Sequence, residues 1–235
     1  MMKIASKDSL QRVSGVVFDL DGTLLDTMTQ WNSLGVDYLR QLGYEPRADT
    51  IDKIGAMSLR ECVAYFKSEY KIERIIETML SELHERLSHL YSDEAREKPG
   101  AVDTLRLLKK HAVKVAVATA TSRELAIAGL SRVGALEYVD HVLSCRDADI
   151  KAHKDQPKIY EEAQRRLGVL QEETVVVEDA FYAILTAKRA GYYVVGIEDE
   201  SERSRKEKIV RTVDLYCTDH EQIQQWLQTQ LEPKS

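Results

Sequence analysis

The fold of this chain is indicated by one stretch, Val16-Val17-Phe18-Asp19-Leu20-Asp21-Gly22-Thr23-Leu24-Leu25-Asp26-Thr27. An apolar run ends in two carboxylates at positions i and i+2, and Gly22 then breaks the pattern. Such a run is typical of a buried strand that delivers charge to the edge of a sheet. If the strand geometry persists through Asp21, alternation places Asp19 and Asp21 on the same side. Two adjacent carboxylates favour a neutralising cation, and oxygen ligands favour a hard ion such as Mg2+.

The bulk composition is that of a soluble globular protein. The 235 residues are 43% hydrophobic and 31% charged, which suffices for one large domain or for a core with a smaller insert. The formal net charge of -6 gives no reason to expect a nucleic acid or an acidic membrane as a partner. Three widely separated cysteines form no CxxC pair, which predicts buried or half-buried free thiols rather than a disulfide framework or a zinc site. They are Cys62, Cys145 and Cys217.

The N-terminal residues 1–12 are polar and charged and lack the apolar segment of a signal peptide. No apolar run approaches the ~20 residues that a membrane-spanning helix needs. We therefore expect a cytoplasmic location and no membrane partner. We also expect a monomer or a weak homodimer.

Hydrophobic periodicity predicts strand and helix alternation on either side of a purely helical block. The predicted strands are 13–20, 113–119, 141–144, 174–177, 192–197 and 214–217. The predicted helices are 27–42, 122–133, 157–167, 181–190 and 219–231. The helical block spans 50–90, and Lys98-Pro99-Gly100 then marks a turn. The charged run 198–208 is most simply a solvated loop and helix face.

Alternating strands and helices imply a parallel sheet that is covered on both faces. The helical block lies between the first strand and the rest, which indicates an insert. We therefore predict an α/β fold, in which a Rossmann-like doubly wound parallel sheet core carries an inserted α-helical cap domain. The expected core is 1–28 with 96–235, and the expected cap is 29–95.

Polar groups follow the predicted strands at the sheet edge where ligands bind in open parallel sheets. The first strand ends in Asp19 and Asp21, the second in Thr119 followed by Ala120-Thr121-Ser122, and the fourth in Glu178 and Asp179, while Lys151 and Lys154 follow the third. These groups offer carboxylates for a metal, a hydroxyl with backbone N–H groups for an anion, and a cation. The combination suits a phosphoryl group.

Taken singly, each group has a simpler interpretation. Thr119 could be a strand-end hydroxyl and Lys154 a solvated lysine, while Glu178-Asp179 could cap the following helix. Five of the six histidines show no ligand spacing and are interpreted as structural or solvated. They are His84, His89, His111, His141 and His220.

Four segments together resemble the motifs of the haloacid dehalogenase superfamily of phosphohydrolases. The segments are Asp19-Leu20-Asp21-Gly22-Thr23, Val117-Ala118-Thr119, His153-Lys154-Asp155-Gln156-Pro157-Lys158-Ile159-Tyr160, and Val175-Val176-Val177-Glu178-Asp179 with the downstream Ala190-Gly191. Their order and spacing fit over nearly the whole chain. The position of the insert is similar to that of members with a helical cap, the group that includes β-phosphoglucomutase and phosphoglycolate phosphatase-like enzymes.

The resemblance implies a Mg2+-dependent phosphatase that hydrolyses a small phosphorylated metabolite, with a sugar phosphate as one candidate. Asp19 would be the nucleophile that forms an aspartyl-phosphate, and Asp21 would be the acid and base. The implied metal ligands are Asp19, the backbone carbonyl of Asp21, and Asp179, with Glu178 close by. The implied phosphate-binding groups are Thr119, the Ala120 N–H and Lys154.

The chain departs from the resembled pattern at several positions. Asp155 replaces the first proline of the usual Gly-Lys-Pro-x-Pro, and Lys151 is a rival to Lys154, although Pro157 favours Lys154. In the fourth motif, Ala180 stands where a serine is common and Ala183 where a glycine is frequent. One hydroxyl beside the site is therefore lost.

Substrate choice is expected to fall to the cap. Trp31 stands near the place where mutase-like members tend to have a histidine, and an indole cannot transfer a proton. A phosphatase is therefore favoured over a phosphomutase, and a non-catalytic binding module with the same fold is a third alternative.

Gly55-Ala56-Met57-Ser58-Leu59-Arg60 resembles the cap loop that faces the active site in relatives. Arg60 could bind a second anionic or hydroxyl-rich part of the substrate, or be an exposed helix residue.

Overall fold

A computed structural model describes residues 10, 12–54, 57 and 59–231 of the chain. At its centre six parallel strands form one sheet, in the order β3-β2-β1-β4-β5-β6. The strands are β1 (Gly15–Phe18), β2 (Lys114–Thr119), β3 (His141–Ser144), β4 (Thr174–Glu178), β5 (Tyr193–Ile197) and β6 (Leu215–Cys217). This order and the uniformly parallel pairing confirm the predicted Rossmann-like α/β core.

Ten α-helices occur among the described residues. They are α1 (Met28–Gln41), α2 (Thr50–Ile54), α3 (Leu59–Tyr70), α4 (Ile76–His89), α5 (Ala101–Lys110), α6 (Arg123–Arg132), α7 (Lys158–Leu167), α8 (Phe181–Ala190), α9 (Lys206–Thr212) and α10 (His220–Leu231). A π-helical turn, Leu90–Glu94, follows α4, and a 3-10 helix, Glu200–Arg205, precedes α9.

The sheet is buried because alternate residues of each strand face helices on opposite sides. On one face, Val17, Ala116 and Val176 pack in a single buried cluster with side chains of α7 and α8. The adjacent residues of the same strands are also buried, and they face the side where α5 and α10 pack against each other. Burial on both faces explains why the strands are continuous apolar runs.

The first strand ends at Phe18, so the prediction that it reaches residue 20 is wrong. Beyond Asp19 the chain folds into a tight loop, in which the N–H groups of Leu24 and Leu25 donate to the Leu20 carbonyl oxygen at 2.9 and 2.8 Å. Gly22 has a φ of +89°, a conformation that suits glycine. The loop, and not strand alternation, therefore places Asp19 and Asp21.

Helix α5 was not predicted, although its buried residues recur at helical spacing. Ala101, Leu105 and Leu108 face the core, and the turn Lys98-Pro99-Gly100 directly precedes them.

The charged run 198–208 is also more than a solvated segment. Within it the Asp199 carboxylate is buried and accepts a hydrogen bond from Lys98 Nζ at 2.6 Å. The interpretation of this run as simply solvated is therefore wrong for Asp199.

The chain divides into two compact units. One is Thr27–Glu94, and the other combines the described residues of Met1–Asp26 and Ala95–Ser235. The first unit consists of α1–α4 with the π-helical turn and contains no strand among its described residues. Tyr38, Phe66 and Leu83 are buried within it. The predicted domain boundaries lie between residues 28 and 29 and between residues 95 and 96. The two compact units divide between residues 26 and 27 and between residues 94 and 95.

All three cysteines are buried and unpaired, which confirms the prediction of free thiols. In the part of the chain that the structure describes, no helix is long and apolar enough to cross a bilayer. The cytoplasmic location stays a prediction.

Candidate active site

The centre of the sheet is where the chain reverses its direction of winding. After β1 the chain proceeds to β2 and β3, and it then returns to place β4 on the other side of β1. Ligands bind beside the carboxyl ends of strands at such a switch point. Asp19 directly follows β1, Glu178 ends β4 and Asp179 follows it. The Asp19 N–H donates to the Val177 carbonyl oxygen at 2.9 Å, which ties the two strand ends together.

Three carboxylates meet at this switch point. Asp19, Glu178 and Asp179 each offer a carboxylate oxygen, and these oxygens lie within 4.8 Å of one another. All three residues are buried. The structure therefore brings together three of the carboxylates that the sequence predicts as metal ligands. Their oxygen atoms form a donor set that suits a hard divalent ion.

Lys154 lies among these carboxylates. Its Nζ donates to Asp19 Oδ1 and, at 2.5 Å, to Glu178 Oε1. Burial would lower the pKa of Lys154, but the charges of Asp19 and Glu178 outweigh that effect and raise it well above its usual value. Lys154 is therefore a buried, charged residue and not a solvated one. The rival Lys151 is exposed and has a φ of +43°.

The charges in this cluster do not balance. Within the described residues, Lys154 is the only cation that pairs with any of these carboxylates, and its partners are Asp19 and Glu178. Burial, followed by the charges of Asp19 and Glu178, raises the pKa of Asp179 well above its usual range. Burial also raises the pKa of Glu178 to about 7, although Lys154 opposes the shift. A divalent cation would remove this excess of negative charge, so the site could hold one.

Glu178 is held by two further donors. Tyr160 Oη donates to Glu178 Oε1 at 3.0 Å, and the Ala180 N–H donates to Glu178 Oε2 at 3.1 Å. The N-cap position of α8 is Ala180, and no side chain of the described residues caps this helix end, so the simpler interpretation of Glu178-Asp179 as a helix cap is wrong. The contribution of Tyr160 was not predicted, although this residue lies within the third motif.

Asp21 is placed by Thr121, which lies two residues after the second motif segment. Thr121 Oγ1 donates to Asp21 Oδ2 at 2.7 Å, and the Thr121 N–H donates to Thr119 Oγ1 at 3.0 Å. Ser144 Oγ donates to the Thr121 carbonyl oxygen at 2.7 Å. The ends of β2 and β3 thus hold the turn that contains Ala120, an exposed residue. Thr121 lies in the polar stretch that follows Thr119 in the sequence, and it had no predicted role.

Asp179 has a separate partner in the loop after β1. Thr23 is fully buried, and its Oγ1 donates to Asp179 Oδ1 at 2.9 Å. Thr23 ends the first motif segment, and it had no predicted role. Because Thr23 and Asp179 are 156 positions apart in the chain, no local sequence pattern indicates their contact.

The two residues predicted to select substrate lie in the helical unit. The indole Nε1 of Trp31 donates to Tyr91 Oη at 2.7 Å, and Tyr91 is fully buried in the π-helical turn. Arg60 is exposed on α3, with Nη1 3.5 Å from Glu77 Oε1. Of the predicted cap loop, Gly55, Ala56 and Ser58 lie outside the described residues.

A model of the haloacid dehalogenase-like hydrolase family matches residues 16–197, which include all four motifs. The chain belongs to this family. The predicted family is therefore confirmed, and the matched range includes the segments that meet at the switch point.

Relatives within the haloacid dehalogenase-like hydrolases are similar over most of the chain. The phosphorylated carbohydrates phosphatase of Thermotoga maritima is 29% identical, over 76% of this chain and 82% of the relative. Hexitol phosphatase A of Escherichia coli is 30% identical, over 90% of this chain and 94% of the relative. A crystal structure from Thermotoga maritima with a provisional β-phosphoglucomutase assignment gives a TM-score of 0.77 at 25% identity, covering 92% of this chain and 99% of that one.

These findings confirm the predicted enzyme class, a phosphoric monoester hydrolase of the haloacid dehalogenase-like family. A phosphate ester is the corresponding class of substrate. The buried acidic cluster accords with the divalent metal that phosphatases of this family use.

Proposed function

We propose that this enzyme is a Mg2+-dependent phosphatase that hydrolyses a small phosphorylated metabolite through an aspartyl-phosphate on Asp19. The observation that carries the proposal is the cluster of Asp19, Glu178 and Asp179 around Lys154 at the switch point. Its oxygen donors and excess negative charge favour Mg2+ over softer metals. Asp19, Asp179 and the Asp21 backbone carbonyl would hold the ion, with Glu178 beside them. Bound there, Mg2+ would screen Asp19 from the anionic substrate and polarise the phosphoryl oxygens.

In the first chemical step, a carboxylate oxygen of Asp19 attacks phosphorus and the bond from phosphorus to the leaving alkoxide breaks. Asp21 donates a proton to that alkoxide. In the second step, water attacks the aspartyl-phosphate and gives its proton to Asp21. This step releases inorganic phosphate and restores the Asp19 carboxylate. The contact with Thr121 orients the Asp21 carboxylate for both transfers.

The transferring phosphoryl group would be bound by Thr119, the Ala120 N–H and Lys154. Lys154 has three N–H donors, two of which bond to Asp19 and Glu178, so the third can reach a phosphoryl oxygen. Because these groups are already held by the fold, little reorganisation is needed as charge develops.

We assign the choice of substrate to the helical unit, residues 29–95 in the predicted division, with Trp31 and Arg60 as candidate contacts. Two relatives named for phosphorylated carbohydrates and hexitols support a sugar or sugar-alcohol phosphate as substrate. The Trp31 indole donates to Tyr91 and offers no proton-transfer group, which supports hydrolysis over phosphomutase chemistry.

A phosphate-ester panel tests the proposal. It would contain p-nitrophenyl phosphate, sugar phosphates and hexitol phosphates, each with Mg2+, and inorganic phosphate release would be measured. We expect Asp19→Asn to lower turnover on the order of 10^4-fold, because an amide cannot attack phosphorus. Asp155→Asn, which changes an exposed carboxylate in the third motif, is the matched control and should retain activity.

Three outcomes would contradict this function. Normal turnover by Asp19→Asn would exclude the aspartyl-phosphate. An isomerised sugar phosphate that requires a bisphosphate activator would identify a phosphomutase. A wild-type enzyme that releases phosphate from no ester of the panel would favour the non-catalytic binding module.

A further inference from the structure

His220 is a fully buried histidine that the proposed chemistry does not use. It is the first residue of α10, and both of its ring nitrogens are hydrogen-bonded. Nε2 lies 2.8 Å from the Thr23 carbonyl oxygen, and Nδ1 lies 3.1 Å from Thr104 Oγ1. A carbonyl oxygen can only accept, so Nε2 carries the proton of the neutral ring. Nδ1 faces the Thr104 hydroxyl, whose single proton also lies within reach of the Gly100 carbonyl oxygen at 3.0 Å.

The imidazole is neutral at physiological pH. Burial lowers the pKa of His220 to about 4, against the smaller opposing effect of its bond to Thr23. The neutral ring therefore has one fixed donor, and that donor is directed at the loop after β1.

Thr23 connects this histidine to the metal-binding carboxylates. Its carbonyl oxygen accepts from His220, while its hydroxyl donates to Asp179 Oδ1 at 2.9 Å. Both ends of this short path are buried, so water does not offer replacement partners there. A displacement of the Thr23 peptide would therefore move the hydroxyl that orients Asp179.

The attachment of α10 to α5 does not by itself account for the hydrogen bond from His220 to Thr23. Gln224, one turn further along α10, donates through Nε2 to the Gly100 carbonyl oxygen at 3.1 Å and to Thr104 Oγ1 at 3.2 Å. These bonds already join the two helices. The bond from His220 to Thr23 instead reaches the loop that carries Asp21.

We propose that His220 is a positioning residue of the active site, which fixes the Thr23 peptide and, through the Thr23 hydroxyl, the carboxylate of Asp179. This inference rests on the proposed function, because it assigns Asp179 to the metal. Groups that orient metal ligands typically change metal affinity or activity about 10- to 100-fold when they are removed.

The test compares His220→Gln with His220→Asn. The longer glutamine amide can reach the place of Nε2 and donate to Thr23, whereas the asparagine amide matches Nδ1 and reaches only Thr104. Isothermal titration calorimetry would measure the Mg2+ dissociation constant of each full-length variant. We expect it to rise about 10- to 100-fold for His220→Asn, and to stay within about threefold of the wild type for His220→Gln.

Kinetics and a second site complete the design. The turnover number of His220→Asn should fall by a similar factor, while the KM for p-nitrophenyl phosphate changes little. Gln224→Leu is the matched control, since it removes the two hydrogen bonds that Gln224 donates to Gly100 and Thr104 but leaves the bond from His220 to Thr23 in place. Its Mg2+ dissociation constant should equal that of the wild type.

The positioning role is overturned if His220→Asn folds with the wild-type circular dichroism spectrum and binds Mg2+ as tightly as the wild type. It is also overturned if Gln224→Leu weakens Mg2+ binding as much as His220→Asn does. If the wild-type enzyme hydrolyses esters and binds Mg2+, the proposed function holds, and either of these outcomes then counts against the role of His220 alone. A wild type that does neither rejects the proposed function and this inference together.

Discussion

At the scale of single residues, the site depends on a charge imbalance around Lys154. Its Nζ serves two buried carboxylates, Asp19 and Glu178, and a third carboxylate lies within 4.8 Å of them. Removing one partner of a buried ion pair is costly because the remaining charges lose their compensation. The same imbalance makes the cluster receptive to a divalent ion.

We therefore expect Lys154→Met to lower the free energy of unfolding by about 3–5 kcal/mol in metal-free buffer, and to abolish activity. Urea unfolding with a chelator present measures the change. Lys151→Met is the matched control, because Lys151 is exposed in the same loop, and it should change stability by less than about 0.5 kcal/mol. Equal stability of the two variants would show that Lys154 does not neutralise the cluster.

The sequence predicted the ionic residues of the site but not the residues that hold them. Asp19, Lys154 and Asp179 each follow a strand, and the carboxyl ends of parallel strands meet at one edge, so their proximity was predictable. Thr23 and His220 act through hydrogen bonds to residues more than 100 positions away. Such contacts depend on the folded geometry and leave no periodic pattern in the sequence.

At the scale of elements, hydrophobic periodicity and glycine stops predicted most of the strands and helices. Helix α7 ends before Gly168 and α8 before Gly191, both with positive φ, as expected at such termini. Helix α5 was missed because its buried positions fall among charged residues directly after a turn. The end of β1 was misplaced because Asp19 and Leu20 continue the alternation in sequence, whereas Leu20 already accepts the bonds that close the loop.

The end of α7 offers a test of this element-level reasoning. Gly168 has a φ of +68°, and a Cβ atom added there would meet nothing within 4 Å, so the cost of a substitution is conformational. We expect Gly168→Ala to lower the free energy of unfolding by about 1 kcal/mol without affecting turnover. Gly168→Asn should cost less, because asparagine tolerates the left-handed conformation. Thermal or urea unfolding of both variants measures the difference, and equal losses would exclude the conformational explanation.

At the scale of the whole molecule, the described residues of the site and of its support come from distant parts of one unit. Asp19 lies near its start, Lys154 and Asp179 follow later strands, and His220 opens the last helix. An ion bound among these residues would bind the folded chain and not the unfolded one, because the ligands meet only after the sheet forms. Metal binding should therefore raise the stability of the unit as a whole.

Differential scanning calorimetry with and without Mg2+ would measure this linkage. At a free Mg2+ concentration of 100 times the dissociation constant, the stabilisation is about 2.7 kcal/mol, which corresponds to a rise in Tm of about 5–10 °C for a chain of this size. The shift should disappear in Asp179→Asn, because a ligand is lost, and persist in the exposed control Asp155→Asn. NaCl at matched ionic strength should not reproduce it, since a buried cluster is screened far less than surface charges. A shift that survives in Asp179→Asn would place Mg2+ binding elsewhere in the molecule and remove the metal from the proposed chemistry.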